Sequence, residues 1–326
     1  MGPFEWYIQR VGVSMFWLFL SCTHTASELM EDVRITWLGV TSFVVQYDDK
    51  TILLDAFFSR PKLGQEEGSS EQGRLDFIRT MSTLGIDSLD AILIGHAHYD
   101  HAIDVGMVSL ETGAPIYASA TTCWIAKAQG VESEQCNEVQ QGDRFSIGSL
   151  NVDVGRTIHW WPQQSGIGGA YGVLEEEPDP EHLFIVPHGG VLSFLMTFTE
   201  EENHPSILFQ DSLGAIDADD GSHENYRENL EKMLHNQDPP SVWMTCVDCA
   251  DDKETFDEYM GIISPRIVFS MHFDGLNPIL EDGLQESFQE PEWYAQSLQD
   301  GGAISVYPEY YFQSYILKDN QLKTIP

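Results

Sequence analysis

The stretch Gly95-His96-Ala97-His98-Tyr99-Asp100-His101 constrains this chain more than any other. It sets four side chains of metal-ligand type within six residues, directly after the apolar run Ala91-Ile92-Leu93-Ile94. A short, partly β-branched apolar run reads as a buried strand. The following Ala102-Ile103-Asp104-Val105-Gly106-Met107 suits the first turn of a helix. A strand-to-helix edge is a rigid place from which to aim side chains. His96 and His98 are two apart, so on extended backbone they project to the same side, and both imidazoles can reach one cation. Asp100 and His101 come as the chain turns and can reach a second cation beside the first. Imidazole and carboxylate without thiolate suit zinc, although iron, manganese and nickel also occupy such sets. The alternative is a polar cluster at a strand end, but ligand-type residues this dense are rarely incidental.

The HxHxDH spacing resembles the signature of the metallo-β-lactamase fold superfamily. That resemblance implies an α/β fold, a four-layer αββα sandwich, and further site residues at strand ends in a fixed order. Thr51-Ile52-Leu53-Leu54-Asp55 reads as a strand ending in a carboxylate. On the resemblance Asp55 accepts the outer ring N–H of a metal-bound histidine; the plainer alternative is a turn aspartate. Arg156-Thr157-Ile158-His159 brings His159 to the third motif, completing a three-histidine site with His96 and His98. Asp211, after Ser206-Ile207-Leu208-Phe209-Gln210, matches the carboxylate that bridges two metals. His272, after Ile267-Val268-Phe269-Ser270-Met271, would join Asp100 and His101 on the second ion. Asp274 follows closely, as a support to the site or a turn residue. Trp160 and Trp161 are expected to wall the substrate pocket or else pack in the core. His188 is expected to hydrogen-bond substrate or else lie on the surface, as His182 does.

The implied cofactors are two divalent metal ions, zinc expected. The implied activity is metal-dependent hydrolysis, a bridging hydroxide attacking an ester or lactone, with Asp100 and Asp211 orienting water or handling a proton. A bridging Asp in place of Cys or Ser points to relatives that cut lactones, thioesters and phosphodiesters. Di-iron relatives carry Glu where this chain has His98, which argues against oxygen chemistry. His98-Tyr99-Asp100-His101 and His159-Trp160 look most like the branch holding ascorbate-phosphate lactonases and N-acylphosphatidylethanolamine-hydrolysing phospholipases D. Those relatives often carry an Asp two residues past the last histidine, where this chain has Asp104 three past. Two alternatives stand beside the esterase or lactonase: a phosphodiesterase acting on a lipid-like or small phosphodiester, and a non-catalytic metal-binding envelope protein.

Charge narrows the partners. The 52 acidic against 16 basic residues give a formal net charge of −36, which repels nucleic acid and anionic surfaces. A small-molecule substrate is expected, and no nucleic acid. Residues 1–27 read as a signal or lipoprotein signal segment: Arg10 precedes the apolar Val11 to Leu20, and Phe19-Leu20-Ser21-Cys22 resembles a lipobox. The expectation is export, periplasmic or anchored to the cell envelope through lipidated Cys22, with a cytoplasmic location as the alternative. Residues 28–326 are read as one hydrolase domain. Cys123, Cys136, Cys246 and Cys249 would then be available for two bridges, their pairing left open.

The remaining pattern supplies the frame. Strands are expected at residues 33–38 and 43–47, and a hairpin at 144–147 and 150–154, joined at Gly148-Ser149. Further strands are expected over 191–198 and 241–246, and helices over 75–85, 121–128 and 226–236. Residues 59–74 read as an exposed loop and 162–187 as a long loop or lid. One helix and one closing strand, running through Tyr307 to Tyr315, would end the chain.

Overall fold

The computed structural model describes residues 32–61, 68–159, 172–183, 186–198, 205–218, 222–246, 250, 252–274, 284 and 291–325. The proposed signal segment, Cys22, Trp160, Trp161 and Cys249 lie outside the described residues.

Strands β1 (Val33–Gly39), β2 (Ser42–Tyr47) and β3 (Lys50–Leu54) form an antiparallel meander. From there the first sheet continues in parallel through β4 (Ala91–Leu93), β5 (Ile116–Ala118) and β6 (Cys136–Glu138). Parallel neighbours need crossovers, supplied by α1 (Glu71–Leu84), by α2 (Tyr99–Ala102) with α3 (Val105–Thr112), and by α4 (Ala120–Ala128). The second sheet repeats the plan. Antiparallel β7 (Arg144–Ile147), β8 (Leu150–Thr157), β9 (Val191–Thr197) and β10 (Ser206–Gln210) lead into parallel β11 (Val242–Cys246), β12 (Ile267–Met271) and β13 (Ile304–Val306). Its crossovers carry α5 (Tyr226–Leu234), α6 (Lys253–Ile263) and α7 (Glu292–Gly301). The chain then returns to the first sheet, where β14 (Ser314–Lys318) pairs with β1 and β15 (Gln321–Ile325) forms the edge.

Side-chain alternation explains the layering. Along the first sheet Val33, Ile35, Trp37, Phe43, Val45, Ile52 and Leu54 enter a core shared with the second sheet. Leu38, Val44, Leu53 and Ile92, of opposite parity, enter a separate core with Phe77 and Met81 of α1, Val105 and Val108 of α3, and Ile125 of α4. Both faces of the first sheet are therefore covered. The second sheet has Phe256, Tyr259 and Ile263 of α6 and Tyr294 of α7 on its outer side. This is the four-layer αββα sandwich. Phe43 meets Phe269 edge-on across the inter-sheet core at 5.2 Å, a contact whose truncation to Ala would cost about 3–5 kcal/mol.

Three segments differ from the sequence pattern, each for a local reason. Helix α1 starts at Glu71 rather than Leu75 because Ser70 caps it, its side chain accepting the Gly73 N–H. The chain end holds α7 and three strands instead of one helix and one strand; β14 and β15 form a hairpin whose outer strand is largely exposed, so its pattern is weakly apolar. Arg60 and Pro61 are buried rather than part of an exposed loop. The buried Asp104 carboxylate holds that segment down, accepting the N–H groups of Phe58 and Ser59 at 2.6 Å each and the hydroxyls of Ser59 and Ser69. Cys123 and Cys136 are disulfide-bonded, tying α4 to β6, and Cys246 is disulfide-bonded as well.

Candidate metal centre

Ends of strands from both sheets converge on one place. His96 follows β4, His159 follows β8, Asp211 follows β10 and His272 follows β12, while Asp55 ends β3. Ligands in open α/β sheets bind beyond the carboxyl ends of strands, and all these residues lie there.

Among the described residues three ligand-type sets form: His96/His98/His159, Asp100/His101/His272, and His96/His101/Asp211, which joins them. In the first, His96 Nε2 lies 3.1 Å from His98 Nδ1, and the His159 ring sits edge-on to both, at 4.9 and 4.5 Å. In the second, Asp100 Oδ2 lies 3.1 Å from His272 Nε2 and 3.4 Å from His101 Nε2. Each set can offer three ligand atoms within 4.8 Å of one another. Asp211 links the groups: its Oδ2 is 2.7 Å from His96 Nδ1 and 3.2 Å from His101 Nδ1. The expected bridging ligand thus stands, in this structure, against the Nδ1 edges of two imidazoles, one from each group.

The neighbourhood fits cations. Two ring nitrogens 3.1 Å apart need a proton or a metal ion between them. Asp211 is fully buried, and its Oδ1 has no hydrogen-bond partner among the described residues, which leaves a lone pair for a cation. Burial first, then the adjacent imidazoles, push His98 and His159 well below the ordinary histidine range. Both are therefore neutral ligands at pH 7. Burial would lower His101 too, but Asp100, Asp211 and Asp55 surround it and hold it well above that range. Burial would raise Asp100 and Asp211, yet their histidine neighbours hold both ionised. The second group thus demands positive charge, which a proton or a divalent ion can supply.

Asp55 lies against His101. It accepts the His101 Nδ1–H at 2.8 Å, the Thr41 hydroxyl at 2.7 Å and the Gly95 N–H at 3.0 Å. The tautomer this sets leaves His101 Nε2 facing Asp100. Asp55 adopts φ 53° and His272 φ 65°, left-handed conformations uncommon outside glycine and characteristic of functional sites.

His188 is buried, not a surface residue. Its ring stacks on His159 at 5.5 Å and its Nδ1 accepts the Gly190 N–H, so a neutral ring carries its proton on Nε2. His182 is half-exposed and pairs with Asp179, as a surface histidine should. Asp104 supports the loop after β3 and takes no part in either ligand group. Sequence reasoning missed Thr41, Gly95 and Arg60. The glycine before the first histidine was the one available signal, since a side chain there would collide with Asp211.

The metallo-beta-lactamase superfamily model matches residues 35–135, the segment from β1 to the end of α4 and into the turn before β6. Over that segment the chain is similar to the metallo-beta-lactamase superfamily. A UPF0173 metal-dependent hydrolase of Rhizobium meliloti is 27% identical over 182 residues, which is 54% of this chain and 70% of that protein. Matches to other such relatives span as little as 44% of the relative's length. In fold the chain is similar to Igni18, a metallo hydrolase of Ignicoccus hospitalis, with a TM-score of 0.53 at 14% identity, covering 90% of this chain and 99% of that one. It is similar also to CmlA, a diiron β-hydroxylase of Streptomyces venezuelae, with a TM-score of 0.52 at 14% identity, covering 88% of this chain and 54% of that one. One fold thus serves different chemistries, and the ligand set has to decide.

Proposed function

We propose that this metal-dependent hydrolase holds two divalent cations, zinc in our reading, and cleaves an ester or lactone. The observation that carries the proposal is the pair of ligand groups, His96/His98/His159 and Asp100/His101/His272, set side by side with Asp211 touching a member of each. When bound, such cations lower the pKa of water toward neutrality and polarise the substrate oxygen.

The chain's own residues do the rest. His98 and His159, kept neutral by burial, offer lone pairs without first losing a proton. Asp100 stays ionised, so it accepts hydrogen bonds and orients water rather than storing a proton. Asp55 and Thr41 fix the His101 ring. His188, beside the three-histidine group with its Nδ1 engaged, is placed to donate from Nε2 toward a substrate oxygen. Trp160 and Trp161 remain candidates for the pocket wall on their sequence position alone.

Metal content and turnover test this together, on residues 28–326 purified without chelator. The panel is a p-nitrophenyl ester, a lactone, bis-p-nitrophenyl phosphate and a cephalosporin, with His98→Ala as control. Two metal equivalents with ester or lactone turnover, lost in the variant, is the expected result. Diester turnover alone would replace the carbonyl substrate with a phosphodiester.

We further propose export, to the periplasm or the outer face of a membrane, with Cys22 as a lipid attachment point. The Cys123–Cys136 disulfide and the bonded Cys246 support it, because disulfides persist mainly in oxidising compartments. Metabolic labelling with a fatty acid, lost in Cys22→Ser, tests the anchor.

A further inference from the structure

We infer that Arg60, through Asp274, is a positioning residue that sets the affinity of the Asp100/His101/His272 group alone. The inference rests on the two-cation reading above.

His272 is held at both ends of a tight exchange with the turn between β1 and β2. Its N–H donates to Val40 O at 3.0 Å. Two residues on, the Asp274 carboxylate accepts the Val40 N–H, at 3.2 and 3.1 Å from its two oxygens. Val40 and His272 both have positive φ, 50° and 65°. For a β-branched residue such as Val40 this is a genuine outlier, so something must hold the turn there.

Arg60 closes that turn. Its side chain is 2% exposed and that of Asp274 0%, with Nη1 3.6 Å from Asp274 Oδ2. Its Nη2 donates to Leu38 O at 3.2 Å, and its guanidinium lies over the Phe57 and Tyr311 rings. Tyr311 donates its hydroxyl to Asp274 at 2.9 Å. Trp37 stacks between Phe273 and Tyr311, and its Nε1–H also donates to Val40 O. Gly39 leaves room for the guanidinium: a Cβ there would lie 2.1 Å from Arg60 Nη2.

These contacts converge on the turn that places His272. Arg60, Asp274, Val40 and Tyr311 all bear on that turn, while His96 and His98 follow β4 and His159 follows β8. A carboxylate buried with a guanidinium in a dry site is strongly oriented. It therefore fixes the backbone of His272 as neighbouring groups fix ligands in other metal sites, where their loss weakens binding about 10- to 100-fold.

The test is Co(II) titration of metal-free protein, following both equivalents by absorption spectrum and calorimetry. The double variant R60M/D274N removes the ion pair without stranding one buried charge. It should keep one equivalent at wild-type affinity and weaken the other about tenfold or more. Arg60→Lys, which keeps the charge but loses the planar fork, should weaken the same equivalent less, and serves if the double variant fails to fold. Equal affinities for both equivalents before and after substitution, or equal loss at both, would overturn the inference. A wild-type chain that binds no metal would instead refute the two-cation reading beneath it.

Discussion

Gly95 and Asp211 compete for the same space. A Cβ built on Gly95 would lie 2.1 Å from Asp211 Oδ2 and 2.3 Å from its Cγ. The residue before the first histidine is thus glycine so that the buried carboxylate can stand behind His96 and His101. Gly95→Ala must push Asp211 out of place. We expect both metal equivalents to bind about tenfold or more weakly, with stability lowered by about 1–3 kcal/mol. Metal titration and denaturant melts check the two effects separately.

Asp211→Asn makes a related prediction with a different reading. Because Asp211 touches one histidine of each group, removing its charge should weaken both equivalents, whereas His98→Ala should abolish only one. Retention of one equivalent at wild-type affinity in Asp211→Asn would show that the carboxylate serves a single group.

Acid should strip the metals in order. His101 is held above the usual histidine range by three carboxylates, so a proton competes for its Nε2 already near neutrality. His98 and His159 are held below that range, so protons compete there only at lower pH. As pH falls from 8, the equivalent at Asp100/His101/His272 should leave first and the three-histidine equivalent later. Equilibrium dialysis against buffered metal from pH 8 to 5 measures the order; a single step, or the reverse order, would contradict it.

The Cys123–Cys136 bridge closes a loop with a sequence separation of 13. Chain entropy alone gives such a crosslink about 3 kcal/mol. Cys123→Ser/Cys136→Ser should lower the free energy of unfolding by about that amount. Metal content should be unchanged, since the bridge lies between α4 and β6 and touches neither ligand group.

The candidate ligands were legible because their logic is local. His96, His98, Asp100 and His101 declare themselves within one turn of chain, and His159, Asp211 and His272 each follow an apolar strand. Asp55 was legible through the family resemblance. What was hidden depends on contacts between residues well separated in the chain. Arg60 sits in a stretch rich in Gly, Ser and Glu, and nothing nearby reveals that it will be buried against Asp274, more than two hundred positions away. Thr41 looks like an ordinary turn threonine until His101 and Asp55 are beside it. The orientation of Asp211 is a packing result, set by the missing side chain at Gly95.

The most direct measurement is the metal stoichiometry of the purified chain, taken with its hydrolytic rate on an ester and a lactone, for wild type and His98→Ala. Two equivalents with turnover in the wild type, and one equivalent with turnover lost in the variant, is the predicted result. A folded wild-type chain that takes up no metal, or an unchanged rate in His98→Ala, would contradict it.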